Sequence, residues 1–161
     1  MIGAMVVLLL VVGGFVLLRD TGRTVPSTPV RTVDYHRTLD YARDQAKFGL
    51  LAPESLPEGW RATSVSFRLR GEQHWHLGVL TDQDRYVGLE QGRAPVKSML
   101  TEYVDKEPSA DGTVQVDGQP WARWSDDGGD HALVRRTAGT TTLVVGPVPE
   151  QVLVDYVRSL R

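Results

Sequence analysis

The chain has 161 residues, a formal net charge of −2 and no cysteine. The balanced charge gives no basic field that would favour nucleic acid as a partner. The lack of cysteine excludes disulfides, thiolate metal sites and cysteine nucleophiles.

Residues 1–18 carry no charged side chain and are apolar apart from three glycines. A helix of this length spans about 27 Å, close to the roughly 30 Å hydrocarbon core of a bilayer. The run therefore predicts one transmembrane anchor. A cleaved signal peptide is the first alternative, but residues 19–23 offer no small-x-small cleavage site. A buried core helix is the second alternative, and it fits poorly because the run is apolar all round.

Residues 19–32 are polar, contain two prolines and read as an extended stalk. Arg19 and Arg23 follow the apolar run, so the positive-inside rule taken literally places the C-terminal domain in the cytoplasm. A true start further upstream, with a basic tail, would instead allow an outward-facing domain. The residues alone leave both orientations open.

Residues 33–161 are expected to form one domain. Apolar side chains at helical spacing predict a first helix over residues 33–48. Alternating apolar and polar residues predict three strands, a second helix, four strands and a last helix. These elements are placed at residues 64–70, 74–79, 86–90, 95–104, 113–117, 120–125, 131–136, 141–145 and 149–160.

This order predicts an α+β fold: an antiparallel sheet of about seven strands with the helices packed on its apolar face. Tight turns between consecutive strands favour antiparallel pairing and argue against a doubly wound nucleotide-binding fold.

Several short motifs resemble a known family. They include Leu56-Pro-Glu-Gly-Trp60, Trp75-His-Leu-Gly78, Tyr86-Val-Gly-Leu-Glu-Gln91 and Val116-Asp-Gly-Gln-Pro-Trp121, with Val33-Asp-Tyr35 and a Ser159-Leu160 ending. Together with the apolar N-terminus, they resemble an actinobacterial family of single-pass membrane proteins known as domain of unknown function 4245. The resemblance implies an anchored domain facing outward and supplies no activity. The Pro-Glu-Gly-Trp and Val-Asp-Gly-x-x-Trp motifs also resemble PsbP/Mog1-type domains, which bears on fold only.

His74 and His76 are two residues apart on a predicted strand, so both side chains point to one face. This spacing can chelate a metal, but polar residues on an exposed sheet face explain it as well. The pair is kept as a weak metal candidate, and no metal or other cofactor is predicted. Asp126, Asp127 and Asp130 lack the ligand spacing of a calcium loop and read as hairpin residues.

No nucleophile elbow, paired-carboxylate signature or phosphate-binding glycine loop occurs in the sequence. The sequence therefore predicts no catalytic residue and no enzyme. A triad is assembled in space, so the sequence alone does not forbid one.

Trp121 and Trp124 are an odd number of residues apart and are expected on opposite faces of their strand. One is expected in the core, while the other could join nearby arginines in a recognition patch, because Trp and Arg are enriched at binding hot spots. Sheet packing with solvated arginines is the alternative. The candidate binding residues are Trp121, Arg123, Trp124, Arg135 and Arg136.

The first hypothesis for function is a membrane-anchored, extracytoplasmic, non-enzymatic domain that binds proteins or ligands at the cell envelope. The expected partners are the membrane, through residues 1–18, and envelope proteins. A carrier of lipid or another small hydrophobe, and an envelope hydrolase, are the two alternatives.

Overall fold

The computed structural model describes residues 30–161, of which Arg31–Arg161 form one compact unit. The predicted anchor at 1–18 and most of the predicted stalk lie outside the described residues. Within residues 30–161, none of the helices has the length and apolarity that crossing a bilayer requires.

Three helices and seven strands make up the domain. The helices are α1 (His36–Gln45), α2 (Val96–Tyr103) and α3 (Glu150–Ser159). The strands are β1 (Arg61–Arg68), β2 (His74–Leu80), β3 (Tyr86–Gly92), β4 (Ser109–Val116), β5 (Gln119–Ser125), β6 (His131–Thr137) and β7 (Thr140–Gly146).

All seven strands join one antiparallel sheet in the order β1-β2-β3-β7-β6-β5-β4. The predicted fold class and strand number are confirmed. Two meanders, β1–β3 and β4–β7, meet where β3 pairs with β7. Helix α2 connects β3 to β4, an edge strand, and so crosses the second meander.

The placement of all three helices on one apolar face is wrong. Helices α1 and α3 pack on one face, around a core that includes Trp75, Leu77 and Tyr156. Helix α2 packs on the opposite face, where Met99 and Leu100 meet side chains of β6 and β7. The apolar runs in β6 and β7 explain this, because consecutive residues alternate between faces and both faces are therefore apolar there.

Helix α1 is shorter than the predicted span of residues 33–48. It ends at Gln45, and Ala46 is already extended. Two buried glutamine side chains bind the backbone beyond the helix: Gln73 accepts from Lys47 N–H, and Gln91 accepts from Leu51 N–H. These side chains provide hydrogen-bond partners for the extended backbone after α1. Helical periodicity does not reveal such distant partners.

Candidate functional site

One face of the sheet changes character at the boundary between β3 and β7. Under α2 the face is apolar, whereas over β1–β3 it is polar. The register places Ser66, His76, Glu90 and Leu143 in one row across four neighbouring strands. Glu90 is therefore the residue of this row at which the polar half borders the apolar half.

Glu90 lies at the centre of the polar half and is almost fully buried, with a side chain 3% exposed. His74 Nε2 lies 2.7 Å from one carboxylate oxygen, and His76 Nδ1 lies 2.6 Å from the other. Both distances are those of strong, charge-assisted hydrogen bonds. Each oxygen of the carboxylate thus accepts a bond from a different imidazole.

We assign the tautomers of both rings from these contacts, because a carboxylate only accepts hydrogen bonds. His76 donates through Nδ1 to Glu90, so its Nε2 can accept the proton of the Ser64 hydroxyl, 2.7 Å away. His74 donates through Nε2 to Glu90, and the Tyr103 hydroxyl oxygen, 3.2 Å from the same nitrogen, accepts a share of this N–H. The result is a continuous hydrogen-bonded chain from β1 through β2 and β3 to α2.

Two tyrosines border this network. Tyr103, from the last turn of α2, stacks on the His74 ring with centroids 5.5 Å apart. Tyr86 lies over Gly78 and Gly88, where an added Cβ would meet its ring. Burial, then the Glu90 charge, raises the pKa of Tyr86 to about 12. Burial and the same carboxylate also raise the pKa of Tyr103.

A concave recess of about 470 Å³ opens above the network. We call it the polar recess. Its charged side chains are one arginine and two carboxylates, beside the two imidazoles. Helix α2 contributes its C-terminal turn, which carries the negative end of the helix dipole. The lining residues are Ser66, Arg68, His74, His76, Tyr86, Glu90, Glu102 and Tyr103.

The prediction that His74 and His76 share one face is confirmed. Within residues 30–161, no group of three or more His, Cys, Asp or Glu side chains is arranged to hold a metal ion. The nitrogens that face Glu90 are each hydrogen-bonded to one of its oxygens, so these three residues form a polar network.

Sequence reasoning missed the roles of Glu90 and Tyr103. The turn at residues 82–85 could have revealed Glu90, because a hairpin that pairs Leu80 with Tyr86 also places Glu90 opposite His76. Tyr103 reaches the site from a helix that crosses the sheet, and no local spacing predicts that contact.

Three of the five predicted binding residues, Trp124, Arg135 and Arg136, line one concavity of about 530 Å³, whereas Trp121 and Arg123 lie outside it. Trp121 and Trp124 lie on opposite faces, as expected: Trp121 is buried beside the α1–α3 core, and Trp124 packs against the α2 cluster. Arg123 pairs with Glu150 at 3.1 Å, whereas Arg136 donates to the Ala94 carbonyl oxygen at 2.7 Å. Arg135 donates to the Gln119 side chain at 2.7 Å.

A sequence model described as "Protein of unknown function (DUF4245)" matches residues 1–160. The chain belongs to this family. No curated protein matches the chain. The DUF4245 match covers the polar recess and the whole sheet, and its description assigns no activity to either.

Proposed function

We propose that this DUF4245 chain is a non-enzymatic ligand-binding protein and that the polar recess is its binding site. The observation that carries the proposal is the buried Glu90 carboxylate, held by two histidines at the floor of an open recess. Burying the Glu90 carboxylate costs desolvation free energy, and an apolar side chain at this position would let the chain fold without that cost.

The energetic argument rests on the neighbours of Glu90 in its own row. The next strands place Leu143 and Val134 on the same face, and both are buried. A buried carboxylate costs several kcal/mol of desolvation, and well-packed apolar residues often replace buried ionic groups without loss of stability. The neighbouring Tyr86 has a raised pKa, and titratable groups with a perturbed pKa in a concavity are typical of functional sites.

The chemistry of the lining favours a neutral ligand rich in hydroxyl groups. Arg68 supplies hydrogen-bond donors and Glu102 supplies acceptors, so a ligand must both accept and donate. The two carboxylates and the helix C-terminus disfavour an anion. Tyr86 and Tyr103 add aromatic surface on which the apolar side of a sugar ring can pack. We therefore assign the ligand to the class of neutral saccharides.

Saturation-transfer NMR on the full-length chain tests this assignment. The probes are glucose, N-acetylglucosamine and their β-1,4-linked disaccharides. We expect saturable transfer to at least one probe, and the Arg68→Gln variant to weaken its affinity about tenfold, because a charged hydrogen-bond donor is lost.

Arg70→Gln is the matched control, since Arg70 follows β1 closely, is exposed and does not line the recess. Its affinity should stay within about twofold of wild type. The proposal fails if no probe receives transfer, or if the two variants lose affinity equally.

One arrangement favours a second candidate, a serine hydrolase. Ser64, His76 and Glu90 follow the nucleophile–base–carboxylate order of a catalytic triad, with consecutive distances of 2.7 and 2.6 Å. Two features oppose it. The C-terminal turn of α2 would repel a developing oxyanion. The Tyr86 ring and the Ser64 hydroxyl both lie within 3 Å of where a Cβ at Gly78 would stand, so the ring crowds the hydroxyl.

A fluorophosphonate probe separates the two candidates, because it labels only an activated serine. Intact-mass measurement of the treated full-length chain should show no adduct. Ser66→Ala is the control for Ser64→Ala, since both serines lie on the same face of β1. An adduct that Ser64→Ala and His76→Ala abolish, and Ser66→Ala retains, would replace the binding proposal with hydrolysis.

The proposed location is the cell membrane, with residues 1–18 as the anchor and the DUF4245 domain outside the cytoplasm. The uncharged length of the run supports an anchor. An alkaline phosphatase fused after Arg161, which is active only outside the cytoplasm, should be active in intact cells. An inactive fusion together with a fluorescent cytoplasmic reporter fusion would contradict the outward orientation.

A further inference from the structure

A second concavity, of about 410 Å³, opens on the opposite face of the sheet. We call it the cationic cleft. Its floor follows one row across the strands, since Gln91 pairs with Thr142 and Thr142 with Arg135. Trp121 also lines the cleft, and the chain segment 47–51 forms one wall.

That wall is held in place by two buried amides. Gln91 donates to the Gly49 carbonyl and accepts from Leu51 N–H, at 3.1 and 2.9 Å. Gln73 accepts from Lys47 N–H at 2.8 Å. The cleft therefore does not need to order this segment when it binds a ligand, which lowers the entropic cost of binding.

Three cations line the cleft: Lys47, Arg93 and Arg135. Among the residues that the structure describes, its lining includes no carboxylate, and none of the three cations forms an ion pair. Lys47 follows α1, Arg93 follows β3 and Arg135 lies in β6, and all three line one concavity. Unpaired cations around a preformed wall favour an anionic ligand.

We infer that the cationic cleft binds a phosphate monoester or diphosphate group. Three positive charges exceed the single charge of a carboxylate, whereas a phosphate monoester carries about −1.5 to −2 at pH 7. Arginine forks match phosphate oxygens in a bidentate manner. Trp121 and Phe48 provide apolar surface for the organic part of the ligand. The cleft lies on the other face from the polar recess, so this inference stands without the saccharide proposal.

Calorimetric titration of the full-length chain with inorganic pyrophosphate tests the inference for a free ligand. Calorimetric titration with short-chain, water-soluble phosphatidic acid, compared with short-chain phosphatidylcholine, tests the same chemistry on a lipid headgroup, because the anchor proposed at residues 1–18 would carry the full-length chain to vesicles of either lipid. We expect saturable binding in at least one arm, and Arg135→Gln should weaken it about tenfold. Added salt should weaken the binding of the anionic probe to the wild-type chain, because salt screens the charges of the cleft.

Lys47→Gln and Lys97→Gln make a matched pair, because both remove one lysine charge and only Lys47 lines the cleft. Arg93→Gln, at an exposed position, replaces Arg135→Gln if the latter unfolds. Binding weakened by the cleft variants and unchanged by Lys97→Gln supports the inference. Absence of binding in both arms, or equal weakening by Lys47→Gln and Lys97→Gln, overturns it.

Discussion

Glu90 and Gln91 are neighbours in β3 and have nearly the same shape, yet they serve opposite faces of the sheet. Glu90 accepts hydrogen bonds from two imidazoles under the polar recess. Gln91 binds the backbone of segment 47–51 and so supports the cationic cleft. Both residues are 2% exposed. One charged and one neutral group are thus buried side by side, each with its own partners.

The comparison separates two uses of buried polar groups. Gln91 holds backbone that would otherwise lack partners, which is a structural task. Glu90 binds only side chains, and its removal would leave no backbone group unpaired. Of the two hydrogen-bond networks, the Glu90 network is therefore less needed to hold the backbone in place than the Gln91 network. We assign the Glu90 network to function.

The largest expected effect comes from Glu90→Leu. The change leaves the His74 and His76 N–H groups without their acceptor, so the free energy of unfolding should fall by about 3 kcal/mol. Urea denaturation of the full-length chain measures it. Glu102→Leu, at an exposed position on the recess rim, should cost less than about 0.5 kcal/mol. Equal losses in the two variants would mean that the Glu90 network adds nothing.

Gln91→Glu should destabilise the chain by about 2 kcal/mol, because a carboxylate cannot donate to Gly49 O or Thr142 Oγ1. The comparison predicts a second consequence: pyrophosphate affinity should fall, since the wall of the cationic cleft loosens and gains a negative charge. Gln83→Glu, in the exposed turn after β2, is the control for the added charge. An unaltered pyrophosphate affinity in Gln91→Glu would contradict the role of Gln91 in supporting the cationic cleft.

The smallest expected effect is on the titration of Tyr86. Its pKa in the folded chain is about 12, against about 10 in an unfolded chain. The unfolded state therefore loses the proton first, and this contribution to stability is complete below pH 10 and is lost as pH rises towards 12. Absorbance at 295 nm, with Tyr86→Phe to assign the signal, measures the pKa. Glu90→Gln should lower it, because a nearby negative charge is removed; an unchanged value would contradict the proximity of the two groups.

Much of the sheet could be predicted because its strands obey a period of two and its turns carry Gly and Asp. The seven strands, the opposite faces of Trp121 and Trp124 and the shared face of His74 and His76 all follow from that alternation. The side of the sheet on which α2 packs could not be predicted, because β6 and β7 are apolar on both faces. The end of α1 could not be predicted because Gln73, just before β2, and Gln91, in β3, bind the following backbone from distant parts of the chain.

Predicting the candidate sites requires the register between neighbouring strands as well as the alternation of residues within each strand. Glu90 reaches His76 only through the β2–β3 pairing, and the predicted Trp and Arg residues divide between two faces. Two of those five residues, Trp121 and Arg135, line the cationic cleft. Their predicted role in binding stays a prediction, now with a defined ligand class.

Backbone amide mapping of the full-length chain by ¹⁵N NMR, during titration with the saccharide probes, tests the central claim most directly. We predict saturable shifts concentrated at His74, His76 and Tyr103, with the sugar recovered unchanged afterwards. Shifts confined to the cationic cleft, no shifts with any probe, or a hydrolysed sugar would contradict the assignment of the polar recess as a non-enzymatic saccharide-binding site.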